Sequence, residues 1–150
     1  MKKQLILCAL LVFAVAATAA GAATPTRHLV RGKAQLRVLR SDQSAILWSG
    51  TIQDRTLGRG AVVLRAVRTD RKDTFRVSLT VFTQKGTLDA AGSYTWGIEE
   101  DGRFTYAGSI KSTHGSGAFS HARGNLTLSG GTPPDDPNFV EHNLRGWLTY

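Results

Sequence analysis

The sequence predicts an all-β domain of about eight short strands, folded as a sandwich or a barrel. Apolar residues recur with a period of two along most of the chain. Beyond residue 23 no window sustains a 3.6-residue apolar stripe for about three helical turns, as an amphipathic helix would. Glycine supplies the punctuation, at Gly58, Gly60, Gly86, Gly92, Gly102, Gly115, Gly117, Gly124, Gly130 and Gly131. At 150 residues the chain is long enough for one domain, and 41% hydrophobic with 20% charged residues suits a folded one.

The first residues stand apart. Lys2 and Lys3 precede an apolar run from Leu5 to Ala20, and small residues follow to Ala23. That is the three-part pattern of a secretory signal peptide. Residues 1–23 are therefore expected to be a cleaved leader and 24–150 a single exported domain, secreted or periplasmic. Cys8 is the single cysteine and lies within the leader, so the mature chain has no thiol for a disulfide, a nucleophile or a zinc ligand. No transmembrane segment is expected after cleavage. Removing Lys2 and Lys3 from 19 basic residues leaves 17 against 11 acidic, a charge of +6.

The strands follow in order. Thr24 to Arg27 reads as a short arm around Pro25. Leu29 to Leu39 and Ala45 to Gln53 are the first strands. Val62, Leu64 and Ala66 alternate with Val63, Arg65 and Val67. Phe75, Val77, Leu79 and Val81 alternate with Arg76, Ser78, Thr80 and Phe82. Phe104, Tyr106, Gly108 and Ile110 alternate with Thr105, Ala107, Ser109 and Lys111. Leu126 and Leu128 alternate with Asn125, Thr127 and Ser129, and Leu144, Gly146, Leu148 and Tyr150 with Arg145, Trp147 and Thr149. Arg68 to Asp73 is a charged turn, Asp101-Gly102 a hairpin turn, and Pro133 to Asn138 a loop that no central strand would tolerate. Long aliphatics on one face and Arg, Thr or Ser on the other suit a small closed barrel in water.

The segment Tyr106 to Gly130 carries a likeness. Gly115-x-Gly117-x-Phe119, then Ala122-Arg123-Gly124, then the Leu126/Leu128 strand ending in Gly130, resembles the allene oxide cyclase and dirigent group of β-barrels, especially its secreted bacterial relatives. The resemblance implies an eight-stranded antiparallel barrel whose central cavity receives a hydrophobic or phenolic molecule, as a monomer or a homotrimer. No catalytic or substrate-binding motif of either family matches, so no functional residue is carried over. Gly115, Gly117 and Gly124 read as structural turn residues.

Other chemistry is sparse. His28, His114, His121 and His142 show no spacing that would place two ligands on one face, so no metal site is expected and surface or turn positions are the expectation. Only His114 and His121, flanking the glycine hairpin, could approach one another. Glu99 and Glu100 would point to opposite faces of a strand, and no Gly-x-Ser-x-Gly elbow is present. No cofactor motif occurs. Trp48, Trp96, Trp147, Tyr94, Tyr106, Tyr150 and Phe104 fall in or beside strands. If the interior holds a ligand, Tyr94, Tyr106, Trp96 and Arg65 are the expected lining and anchors.

The expected function is binding of a small hydrophobic or phenolic ligand in the cavity. The alternatives are a cyclase or isomerase acting there, or binding of an anionic polymer or surface by the basic exterior. Arg31, Lys33, Arg37, Arg40, Arg65, Arg68, Arg71, Lys72 and Arg76 supply that exterior. No interleaved aromatic pattern marks a nucleic-acid partner.

Overall fold

Alternation along each strand dictates the architecture. In the computed structural model, which describes residues 24–150, the strands are β1 (Arg27–Ser41), β2 (Ala45–Asp54), β3 (Gly58–Arg68), β4 (Thr74–Thr83), β5 (Gly86–Ile98), β6 (Phe104–Gly115), β7 (Arg123–Gly131) and β8 (Phe139–Thr149). Each pairs antiparallel with the next, and β1 pairs with β8, so the meander closes into an eight-stranded barrel. The expected leader lies outside the described residues.

Closure gathers the loops at two ends. The β1–β2, β3–β4, β5–β6 and β7–β8 connections share one end. The β2–β3, β4–β5 and β6–β7 connections and the described chain ends share the other. Asp101-Gly102 forms the β5–β6 turn, with Gly102 at φ 81°, and 132–138 is the β7–β8 loop.

The inward rows are those the alternation specifies. Val62, Leu64, Ala66, Val77, Leu79, Val81, Leu126, Leu128, Leu144 and Leu148 are all buried. Each buried Leu or Val contributes about 1.5–3 kcal/mol relative to an exposed position. Outward positions carry Arg31, Lys33, Arg65, Arg76, Lys111, Arg123 and Arg145, the reverse of the apolar outer band of a lipid-embedded barrel. No helix of the described residues is long and apolar enough to cross a membrane.

β5 is the strand the sequence reading leaves undelimited. Its inward row is Leu88, Ala90, Gly92, Tyr94 and Trp96, and the small residues dilute the alternation. Similar inward glycines recur around the wall, at Gly50, Gly60, Gly92, Gly108, Gly124, Gly130 and Gly146. A side chain at Gly130 would collide with the carbonyl of Glu141 on β8, and one at Gly146 with that of Asn125 on β7. Glycine at such points lets a strand coil sharply enough to close a narrow barrel.

The end holding the described chain ends is plugged. The segment from Gly115 folds into a short 3-10 helix, Gly117–Phe119, with Gly117 at φ 59°. Phe119 and Leu57 are fully buried there, and Phe119 meets the Tyr150 ring edge-on at 5.2 Å. Asp54 ties the β2–β3 turn together. Its carboxylate accepts from the backbone N–H of Thr56 and Leu57 at 2.7 Å, and of Arg31 at 2.8 Å.

Candidate functional site

Polar and aromatic side chains concentrate inside the opposite end. Tyr94 comes from β5, Tyr106 from β6, His142 from β8, Phe75 from β4 and Trp48 from β2. Barrel register brings them together, because Tyr106 pairs with Gly130 and Gly130 with His142. The glycine leaves room for the rings of its neighbours. Tyr94 and Tyr106 meet edge-on with centroids 5.4 Å apart, and His142 lies 6.4 Å from Tyr94 and 5.8 Å from Tyr106. Phe75 backs Tyr94 at 5.6 Å, and Trp48 meets Tyr106 at 6.4 Å. Trp96 and Phe104, both half-buried, meet at a tilt with centroids 5.6 Å apart nearer the rim.

Satisfaction of polar groups is incomplete here. His142 is 1% exposed and its Nδ1 has no hydrogen-bond partner. Thr132, the residue after β7, is buried with its hydroxyl likewise unpartnered. A buried polar group without a partner costs about 1–3 kcal/mol, and both such groups lie at this end, whereas the buried Asp54 at the other end is fully hydrogen-bonded. Burial pushes the His142 imidazole down to about 4, so it is neutral at pH 7. Burial raises both phenols, and the neighbouring Tyr106 adds to the rise at Tyr94. The cluster is uncharged at neutral pH and offers hydrogen bonds, not charge.

Against the cluster lies a rim groove of about 180 Å³, lined by the β3–β4 connection from Arg68 to Thr74 and by Phe75 and Trp96. The Arg68 guanidinium lies 6.0 Å from the Phe75 ring centroid. Asp73 closes the loop with φ 55°, a left-handed conformation uncommon outside glycine.

The expected site residues divide accordingly. Tyr94, Tyr106 and Trp96 come together at this end. Arg65 does not: Leu64 and Ala66 point inward, so Arg65 points out and lines a groove on the outer wall with Arg40 and Leu47. His142 overturns the expectation of surface histidines. The signal was present, since His142 stands two residues before Leu144 in the inward row of β8. His114 and His121 are exposed, and among the described residues no three His, Cys, Asp or Glu side chains cluster as metal ligands. Gly115 and Gly117 hold the plug, where a side chain would meet the Phe119 and Lys85 carbonyls. Gly124 is an inward wall glycine facing the Trp147 carbonyl.

Comparison with known proteins leaves the site to speak for itself: no family model matches the chain, and no curated protein or solved structure shows significant similarity.

Proposed function

We propose that this is an exported binding protein that takes a small phenolic or other single-ring molecule at the aromatic end of its barrel. The observation that carries the reading is the buried cluster of Phe75, Tyr94, Tyr106 and the unpartnered His142, beside a rim groove that Phe75 and Trp96 line together with the charged Arg68–Thr74 connection. Its volume of about 180 Å³ is close to the roughly 150 Å³ of an engineered cavity that accommodates benzene. Phe75 and Trp96 supply the groove's aromatic surface and Arg68–Asp73 its charged side, while the cluster behind Phe75 holds neutral donors and acceptors suited to a hydroxyl. The likeness of Tyr106–Gly130 to the allene oxide cyclase and dirigent group supports the same ligand class. The leader-like residues 1–23 support export.

Binding is favoured over cyclase or isomerase turnover by the protonation states. A general base works best with a pKa near the operating pH. An imidazole near 4 is a weak base, and both phenols are held protonated.

The test is native mass spectrometry of the chain recovered from its producing culture, followed by titration with phenol, benzoate and cyclohexanol. The reading predicts a small adduct or, for the emptied protein, phenol affinity on the order of 0.1–1 mM, as seven heavy atoms can supply. It also predicts phenol ahead of cyclohexanol. No adduct together with equal, non-saturable uptake of all three would refute it.

A further inference from the structure

The outer wall opposite β3 and β4 carries a cationic face. On β1 the outward residues near the plugged end are Arg27, Leu29 and Arg31. On β8 they are Arg145, Trp147 and Thr149, on β7 Arg123, Asn125 and Thr127, and on β6 Lys111. Register fixes how they adjoin. Leu29 pairs with Trp147, Trp147 with Asn125, and Asn125 with Lys111. Arg31 pairs directly with Arg145, and Arg27 and Arg123 both pair with Thr149. Trp147 therefore sits amid Arg27, Arg31, Arg123 and Arg145, with Lys111 one strand further on. No acidic side chain is among these outward residues.

None of these cations takes part in a salt bridge among the described residues. At the groove's far edge Lys33 of β1 is paired with Glu141 at 3.2 Å, and the Asp54 oxygens are occupied by backbone N–H groups, including that of Arg31. Like charges directly opposite across two strands destabilise a sheet. Arg31 and Arg145 are nevertheless paired, on the two sides of an outer-wall groove of about 530 Å³ that also includes Leu29, Lys33 and Asn143. The Arg27 guanidinium is held over the Trp147 ring at 4.8 Å. This stacking orients a guanidinium while leaving its N–H donors available.

We propose that this face of β1, β8, β7 and β6 binds an acidic polysaccharide, with Arg31 and Arg145 gripping one sulfate or carboxylate between them. Two opposed guanidinium forks suit a planar or tetrahedral oxyanion, which relieves their mutual repulsion. The spread of Arg27, Arg123 and Lys111 around that point suits an extended polyanion rather than a single ion. A single-stranded nucleic acid would use successive aromatic platforms for its bases, whereas Trp147 is alone in the patch and already stacked by Arg27. A lipid surface would need projecting apolar side chains, and Leu29 is the one aliphatic among them.

The test compares retention of the chain on immobilised heparin with retention on neutral dextran, across salt concentrations. The paired variant Arg31→Gln with Arg145→Gln is set against Arg65→Gln with Arg76→Gln, which removes equal charge from the opposite wall. The first pair should weaken heparin binding at least about tenfold near 0.15 M salt and flatten the dependence of log K on log salt by about 2, one per lost contact. The second pair should leave the slope nearly unchanged. Arg123→Gln with Lys111→Gln probes the other flank, so misfolding of one variant does not shelter the proposal. Equal losses from both walls, or no retention of the wild type, would overturn it. So would tighter binding to an oligo-dT strand or to phosphatidylserine vesicles than to heparin.

Discussion

Replacing His142 with Leu should change how stability depends on pH, by an amount the structure sets. The imidazole is buried at 1% exposure with Nδ1 unpartnered, and burial lowers its pKa from 6.5 to about 4. In the unfolded chain it takes up a proton as pH falls through about 6.5; in the barrel it resists until about 4. The unfolded state therefore binds more protons between those limits, and stability falls as the medium is acidified. With one pKa unit worth about 1.4 kcal/mol, the loss between pH 7 and pH 4.5 is about 2 kcal/mol. Asp42, Asp101 and Glu141, whose carboxyls are lowered by hydrogen bonds from Ser44, Arg103 and Lys33 respectively, add their own loss mainly below pH 4.5. The assay is urea unfolding of wild type and His142→Leu at pH 7, 6, 5 and 4.5. The gap between the two should shift in favour of the variant by about 2 kcal/mol over that range. Parallel curves, agreeing within about 0.5 kcal/mol at every pH, would refute the assignment of a buried neutral imidazole.

The remaining predictions concern the frame around the site. Gly130→Ala drives a methyl into the Glu141 carbonyl, a backbone atom that cannot step aside, and should cost about 2–4 kcal/mol by chemical denaturation. Gly97→Ala meets only the Thr105 hydroxyl at 3.4 Å and should stay within about 1 kcal/mol of wild type. Phe119→Ala empties the plug and should lower stability by about 3–5 kcal/mol without altering phenol affinity at the far end. Asp54→Ala strands the amides of Arg31, Thr56 and Leu57 and should cost about 2–4 kcal/mol, with faster hydrogen exchange at those amides as its signature.

How much was legible in the sequence follows from how local each feature is. Leu64 against Arg65, or Val77 against Arg76, declares its face from its own strand, and β3, β4, β6 and β7 follow from such rows. β5 is blurred because Ala90 and Gly92 take inward places without looking apolar. The site is less local. Tyr94, Tyr106 and Trp96 are recognisable as strand aromatics, but their meeting with His142 depends on the register linking β6, β7 and β8 through Gly130. Arg65 suits an anchor by its chemistry, while Leu64 and Ala66 on either side of it put it outside. The inward phase of His142 was readable from Leu144 and Leu148. Its isolation from any partner was not, since that depends on what the other strands bring alongside.

The proposal that the aromatic end binds a single ring is tested most directly by following the indole N–H resonances of Trp48, Trp96 and Trp147 while phenol is added to the ¹⁵N-labelled protein. The account predicts a saturable shift at Trp96, a smaller one at Trp48 and none at Trp147 on the outer wall. Equal drift of all three, or a saturable shift confined to Trp147, would contradict it.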